Sequence, residues 1–419
     1  MTCGGAGRSA LTLVGVKIDC VGGGPASLYL AILAKLQEPA HEVTVHERHA
    51  AGTSHGWGVT YWPDLLEELR THDPVSARAV AERSVRWRGG FAHVGDRTTA
   101  HDGDVGHAIG RHRLRTVLAD RARELGVGLE FGAEIGSRAE LPDADLVVAG
   151  DGAHSRLRTE SAAHFGTRVT TGANRFIWLG TTRVFTAFTF AFVESGHGWI
   201  WCYAYGYGPD RSTCVVECSE ATWTGLGLDR IDHADALRLL EKLFADMLDG
   251  HELLGRTDIE GHAQWQAFPT VTNEAWSHGN LVLIGDAAHT THYSIGAGTS
   301  LALRDAACLA RMLGPAGPGR LPDALAAYER ERKQALLSVQ SAARHSAQWY
   351  ENLPRYIGLE PRQMFALLGQ RHSPLLPYVP PQLYYHLDQT VGRLPSLRRL
   401  KQSLGPRLAR VLQSRRPRG

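Results

Sequence analysis

The chain has 419 residues, with 45 Lys and Arg against 43 Asp and Glu. That length supports a large core and more than one domain, and a formal net charge of +2 gives no whole-chain argument for a nucleic-acid partner. No apolar run reaches membrane-spanning length, the Gly- and Ala-rich start has no apolar signal core, and the 6 scattered cysteines read as reduced thiols, so a cytoplasmic protein with no membrane partner and no metal is expected.

Residues Met1 to Gly15 read as a leader. The first strand begins at Val16 and runs into a glycine-rich turn, Gly22-Gly23-Gly24-Pro25-Ala26-Ser27. A helix with Leu28, Ala31, Ile32 and Leu36 follows, then a second strand, Val43 to Glu47, that ends in an acid. Strand, turn, helix, strand and acid in this order make a dinucleotide-binding arrangement. Gly22 makes the tight turn, Gly24 leaves room for a pyrophosphate at the helix N-terminus, and Glu47 is placed for ribose hydroxyls. Ser27 stands where that fingerprint has its third glycine; being small, it still lets helix and strand pack.

The loop from Gly52 to Pro63 contains Gly56-Trp57-Gly58, whose aromatics read equally as a lid or as a hydrophobic anchor. Arg111 lies in the first turn of a helix whose apolar face holds Leu114, Val117 and Leu118. The helix dipole disfavours a cation there, which points to an anionic partner such as phosphate; the other reading is a solvated arginine. A buried strand, Asp145 to Ala149, leads into Gly150-Asp151-Gly152. Gly152 permits a tight turn, Ser155 caps, and Arg158 pairs back with a carboxylate or phosphate.

From Phe176 to Glu220 the pattern changes to alternating strands. Trp199, Trp201, Tyr203, Tyr205 and Tyr207 recur at a period of two and share one strand face, either a wall for a planar substrate or half-buried core. A helix from Ala234 to Leu248 follows. The apolar run Leu281 to Ile284 then reads as a parallel strand with Asp286 at its carboxyl end, where open α/β sheets place ligands. Gly296 and Gly298 let backbone approach that ligand, and a helix follows from Ser300. Ala324 to Trp349 is a long amphipathic helix, and the tail from Gly392 is basic, with no acid after Asp388. Such a tail suits nucleic acid or a phosphorylated substrate, or else a solvated helix and frayed end.

In this order and at these separations, the three glycine-bearing segments resemble the fingerprints of the class A flavoprotein aromatic monooxygenases, the para-hydroxybenzoate hydroxylase type, over Val16 to Leu313. The resemblance implies an α/β fold: a Rossmann-like FAD-binding domain with an inserted, mainly antiparallel substrate sheet and a C-terminal helical segment. The expected divisions are 16–165 and 263–345 for FAD, 166–262 for the substrate sheet and 346–419 for the helical segment with its basic tail. In the first segment it assigns Gly22, Gly24, Pro25, Ala26, Ser27, Glu47 and Arg48 to FAD, with Arg111 near the cofactor. In the middle segment it assigns Asp151 and Gly152, which also serve NAD(P)H. In the third it assigns Asp286, Gly296, Ala297 and Gly298.

Tyr293 stands where that family usually has proline, and Ser300 where it has asparagine. The run His292 to Thr299, with Gly56 to Val59, Ile177-Trp178, Val216 to Glu220 and Trp349 to Asn352, is similar to a smaller subgroup. That subgroup holds salicylyl-CoA and anthraniloyl-CoA hydroxylases and the tryptophan-derived hydroxylase of violacein biosynthesis. The implied cycle uses NADPH or NADH to reduce FAD. O2 then adds at flavin C4a to give a hydroperoxide, which transfers oxygen to an electron-rich ring. The implied partner is a small aromatic substrate, free or bound to CoA or a carrier protein, and the protein is a monomer or homodimer. By position, His292 and Tyr203 are candidate catalytic residues, with His55 as a further base, and Trp57, Trp201, Tyr205 and Tyr293 are candidate substrate contacts. Alternatives are hydroxylation of a free tryptophan, indole-type or polyketide intermediate, halogenation, or a flavin-binding accessory protein without oxygenation. Trp199-Ile200-Trp201 begins a halogenase motif, but Cys202-Tyr203-Ala204 does not continue it.

Overall fold

The computed structural model describes residues 15–53, 56–255, 264–314 and 318–393, with Val411. The leader before Gly15, His55 and the basic tail after Arg393 lie outside the described residues, apart from Val411. The first strand, Lys17–Val21, is central to a six-stranded sheet. It pairs in parallel with Glu42–Glu47 on one side and Leu146–Ala149 on the other. Gly128–Phe131 adds in parallel beyond the former, and Leu281–Leu283 beyond the latter, with Ser277–His278 as an antiparallel edge. Leu146–Ala149 and Leu281–Leu283 are buried throughout, as expected for parallel strands covered by helices on both faces. The register aligns Val21 with Ala149 and Ala149 with Leu283. The carboxyl ends therefore share one edge, where a ligand site forms.

The second sheet has nine strands. Its middle is Arg168–Thr181, Ser212–Ser219, Trp199–Gly206 and Phe188–Glu194, paired antiparallel. Beyond these the chain order breaks. Val85–Val94 pairs in parallel with Phe188–Glu194, and Arg97–Gly110 and Gly58–Tyr61 continue the sheet outward. The 16–165 division thus contains a hairpin, Val85 to Gly110, that belongs to the second sheet. Its outer partner comes much later in the chain, Gly90 lying opposite Phe188, so local pattern has nothing to mark it.

One face of this sheet carries Phe190, Phe192, Trp201, Tyr203, Tyr205 and Val215 against the C-terminal helices through Tyr350, Tyr356 and Met364. The opposite face carries Ile200, Cys202, Ala204, Cys214 and Val216 against Ala236 and Leu240 of helix His233–Leu243. Helix Leu321–Glu351 joins the two sheets. Leu325, Tyr328 and Leu336 are in the core of the parallel sheet, whereas Trp349 and Tyr350 are in the aromatic core. Its 31 residues span about 46 Å at about 1.5 Å per residue.

Candidate active site

The carboxyl edge of the parallel sheet is built first around Glu47. Its carboxylate accepts from the backbone N–H of Gly23 at 2.9 Å and of His49 at 2.9 Å. It also pairs with Arg115 Nη2 at 3.3 Å. Arg115 comes from helix Arg111–Glu124, and it donates from Nε to the Gly23 carbonyl at 3.0 Å and from Nη1 to the Thr53 carbonyl at 2.7 Å. These groups open on a cavity of about 310 Å³ whose apolar sides are Leu28, Val45, Leu129 and Phe131. An apolar slot with a fixed carboxylate at one end suits a purine and its ribose. Arg48, assigned to the cofactor from sequence, is exposed and donates to the His49 ring at 3.1 Å. The guanidinium that reaches Glu47 is that of Arg115, which sequence reasoning missed. Its signal was its position one turn beyond Arg111 on the same helix face.

Gly22 has φ +96°, and a Cβ there would come 2.6 Å from the Gly150 carbonyl oxygen. Helix Pro25–Gln37 starts with Gly24 as its N-cap and Pro25 in its first turn, without a side-chain cap. Its first N–H groups are therefore free for an anion. Ala26 packs toward the third segment, since a Cβ on Gly285 would meet it at 3.3 Å. Ser27 is fully buried, its Oγ has no partner, and a Cβ on Gly150 would come within 2.1 Å of that oxygen. The close approach that a third glycine would give is thus supplied from the other side, by Gly150.

In the middle segment, Asp151 Oδ2 accepts from the Arg156 N–H at 2.8 Å, while Oδ1 is enclosed without a partner. Gly152 turns the chain at φ +88°. Ser155 caps as expected, accepting from the Arg158 N–H at 3.0 Å. Arg158 donates to the carbonyls of Ala287 at 3.0 Å and Ala153 at 2.5 Å, partners that the sequence reading did not name. Carbonyls left free by the turns on either side give a buried guanidinium ready partners, so it ties the middle segment to the third.

The third segment is held from beneath by Asp305. This buried carboxylate takes the Gly285 N–H at 3.1 Å, His289 Nε2 at 2.9 Å and Arg332 Nε at 2.7 Å. Burial pushes the Asp305 carboxyl up, but His289 and Arg332 outweigh it and hold the pKa below the ordinary value. Asp286 and Arg111 are both exposed to solvent and lie near enough for each to act on the other's charge. Loss of hydration raises the Asp286 carboxyl against the pull of His289 and Arg111. Gly296 has φ +61°, and a Cβ there would come 2.6 Å from Thr60 Oγ1. Ala297 caps helix Gly298–Leu313 without a side-chain bond, giving a second free helix N-terminus. Free N–H groups at two helix starts, the fixed Glu47 carboxylate beside an apolar slot and the unpartnered Asp151 oxygen fit FAD. His289 and His292 form no metal site with other ligands among the described residues.

The aromatic wall meets this segment at Tyr293. Its ring lies 4.4 Å from Phe176 and 6.2 Å from Tyr203, and the buried Tyr203 hydroxyl has no partner. The Tyr293 hydroxyl donates to Glu217 Oε2 at 2.7 Å, and Asn174 Nδ2 donates to Oε1 at 2.8 Å. Burial pushes the Glu217 carboxyl up to about 7 despite the lowering effect of those bonds. Sequence reasoning assigned no role to Glu217. Its signal was an acid set between Cys214-Val215-Val216 and Cys218 on a strand, opposite Trp201 in the register.

The other candidates divide by what they touch. The Tyr205 hydroxyl donates to the Gly58 carbonyl at 2.9 Å, and Trp57 Nε1 to the Trp178 carbonyl at 3.2 Å. A Cβ on Gly180 would strike the Trp57 ring at 2.5 Å. The Gly56–Gly58 loop is therefore an anchor interlocked with the sheet. Trp201 stacks on Tyr350 at 5.7 Å and is buried in the wall. His292 Nδ1 bonds Ser294 Oγ at 2.8 Å, and burial with Arg371 lowers its pKa to about 3. The His292 ring also accepts from the Ser294 N–H and so caps the turn.

Among known proteins, residues 16–343 match the FAD binding domain family. A salicyloyl-CoA 5-hydroxylase of Streptomyces sp is 37% identical over 350 residues, covering 82% of this chain and 66% of that protein, so the chain spans just under two thirds of this relative. A 3-hydroxy-4-methyl-anthranilyl aryl-carrier-protein 5-monooxygenase of Streptosporangium sibiricum is 38% identical over 339 residues, 81% of this chain and 90% of that one. Protodeoxyviolaceinate monooxygenase of Chromobacterium violaceum is 27% identical over 390 residues, 90% of this chain and 100% of that one. The solved structure of 2-methyl-3-hydroxypyridine-5-carboxylic acid oxygenase superposes with a TM-score of 0.66 at 18% identity, covering 82% of this chain and 93% of the other, which bears on fold alone. With its three nucleotide-binding segments and its aromatic sheet in place, the chain belongs to the FAD binding domain family, among the class A aromatic hydroxylases.

Proposed function

We propose that the protein is an FAD-dependent monooxygenase that consumes NADPH or NADH and O2 to hydroxylate an electron-rich aromatic ring held as a CoA or carrier-protein thioester. The observation that carries this reading is the junction at Tyr293. There the turn of the third cofactor segment is hydrogen-bonded into the aromatic wall of the other sheet. A planar ring lying on that wall is held beside the cofactor segment, as oxygen transfer requires. FAD, once reduced by the nicotinamide nucleotide, supplies the oxygen-activating chemistry. Glu47 and Arg115 would hold the adenosine end, the uncapped helix starts at Pro25 and Gly298 would receive the pyrophosphate, and Arg111 and Asp286 would lie near the cofactor. The buried faces of Tyr203 and Phe190 exclude water and orient the ring. The thioester is supported by the two relatives at 37% and 38% identity, whose names specify an acyl-CoA and an aryl carrier protein.

The test is absorbance of the purified protein, then its bleaching by NADPH or NADH with salicylyl-CoA, anthraniloyl-CoA or tryptophan. Faster reduction with one thioester than with tryptophan is expected, together with a hydroxylated product. A protein that takes up no FAD, or whose flavin neither nucleotide reduces, would sink the reading.

A further inference from the structure

We propose that a second cavity, among the C-terminal helices, seats the phosphopantetheine arm that CoA and carrier-protein thioesters share, an inference that rests on the thioester reading. The cavity has a volume of about 360 Å³. It lies at the end of helix Leu321–Glu351, beside helix Pro354–Ile357 and the turn Leu376–Tyr378. It shares no lining residue with the slot beside Glu47. A cavity of this size holds a small ligand or part of a larger one.

Its charge points to an anion. Arg355 and Arg371 both line it, and neither is paired with a carboxylate among the described residues. Arg355 donates to the carbonyls of Pro377 and Val379, each at 2.8 Å, which fixes it against the turn. Arg371 donates to Ser346 Oγ at 3.1 Å and to the carbonyls of Leu368 at 2.9 Å and Ser294 at 2.8 Å. These bonds hold each guanidinium still and leave it further N–H groups. Glu351, the acid in the lining, takes the Ala173 N–H at 3.0 Å. Two fixed guanidiniums against one acid suit a phosphate.

Arginines that meet only carbonyls also serve as staples, as Arg158 does. The rest of the lining goes beyond that role. Trp349 is 2% exposed, and its indole N–H is buried without a partner, a donor that lacks its acceptor. The half-buried Gln348 amide has no partner among the described residues. Tyr356, stacked on Trp349 at 5.0 Å, and the exposed Tyr378 add ring faces. An arm of methylenes and amides with a phosphate at one end matches this set: carbonyls for the indole and the amide, methylenes for the rings, phosphate for the guanidiniums. An inorganic anion would use only the last. The position suits the acyl end. Arg371 reaches the Ser294 carbonyl, one residue from Tyr293, and its charge acts on Tyr203 and Tyr350. Tyr350 meets Trp349 edge-on at 5.2 Å and stacks on Trp201 of the aromatic wall at 5.7 Å. An arm seated here, with its phosphate at the exposed Arg355, ends at the border of that wall.

Gln348 offers the test, because changing its side chain breaks no bond within the described residues. The FAD-loaded protein is titrated calorimetrically with phosphopantetheine, pantetheine and CoA. Phosphopantetheine should bind about tenfold tighter than pantetheine, and Q348E should weaken it about tenfold while Q348R tightens it. If the arginines are only staples, the sign of the charge at position 348 has no effect. Equal binding of phosphopantetheine by Q348E and Q348R, or binding no tighter than that of pantetheine, therefore overturns the site. With the site upheld, CoA that binds no tighter than phosphopantetheine means that recognition ends at the arm and both sources serve. CoA that binds far tighter means that its nucleotide is held too and that CoA is the source. Hydroxylation separates this site from the reading beneath it. A protein that hydroxylates salicylate as readily as salicylyl-CoA overturns the thioester reading, and the site with it. A protein that prefers salicylyl-CoA, with a KM that ignores both substitutions, overturns the site alone.

Discussion

Gly150 and Ser27 allow a prediction worked from distances. Gly150 is outside the positive-φ region, so alanine there meets only packing constraints. Its Cβ would stand 2.1 Å from Ser27 Oγ but 3.5 Å from Ser27 Cβ and 3.4 Å from Ile284 Cγ2. The conflict is therefore almost wholly with one oxygen. That oxygen is buried and bonds to nothing. S27A should accordingly be neutral or stabilising by about 1 kcal/mol, since a desolvated hydroxyl is removed and no bond is lost. G150A alone should cost about 1–3 kcal/mol by overpacking. In the S27A background the same change should cost less than about 0.5 kcal/mol, because the remaining contacts are ordinary and alanine restricts the unfolded chain. A double-mutant cycle in urea should then give a coupling of about 1–3 kcal/mol. Both residues flank the pyrophosphate turn, so FAD affinity should follow the same cycle. Equal cost of G150A in the two backgrounds would refute the claim that Gly150 stands in for the missing third glycine.

Other perturbations read separate parts of the site. R115M should weaken FAD binding about tenfold or more in a flavin-fluorescence titration, through loss of a charge-assisted bond to Glu47, whereas R48A should leave it nearly unchanged; the opposite ranking would return the role to Arg48. D305N should cost about 3–5 kcal/mol in denaturant unfolding, because His289 and Arg332 lose a buried charge partner; a cost under about 1 kcal/mol would show that the third segment is held in some other way. Glu217 has its folded pKa raised from 4.5 to about 7. Its stabilising share is thus complete below pH 4.5 and lost as pH rises through about 7, a slope of about 3 kcal/mol in total that E217Q should remove from thermal melts. His292 has the opposite dependence. Its folded pKa is lowered from 6.5 to about 3, so stability falls as pH drops below 6.5, and H292N should flatten that acid side.

Much of the cofactor half could be read from the sequence because its signals are local. A glycine turn, a helix and an acid lie within one short stretch from Lys17 to Glu47, and each has a backbone reason to be there. The period-two run from Trp199 to Tyr207 likewise marked one sheet face, and Trp201, Tyr203 and Tyr205 do share a core. What escaped depends on partners far apart in the chain. The hairpin from Val85 to Gly110 takes its sheet from Phe188–Glu194. Arg158 takes its role from the Ala287 carbonyl, and Arg115 from Glu47. Substrate contacts were the least legible, because an aromatic on the wall looks the same in sequence whether it anchors a loop, as Tyr205 does, or faces a ligand. Only the partner of its hydroxyl tells them apart.

The strand order of the parallel sheet also bears on how the protein is made. Leu146–Ala149 lies between the first strand and Leu281–Leu283, and the strands of the second sheet from Arg168–Thr181 to Gln266–Thr272 intervene before that last strand is synthesised. On the ribosome, the N-terminal unit waits with one side of a central strand unpaired while the rest of the chain emerges. Closure of so long a loop is slow, and that open edge is the part of the nascent chain most in need of protection. Gly285 and the helix start at Gly298 also follow that interval in the chain, so on the proposed cofactor site flavin uptake would wait for this last strand.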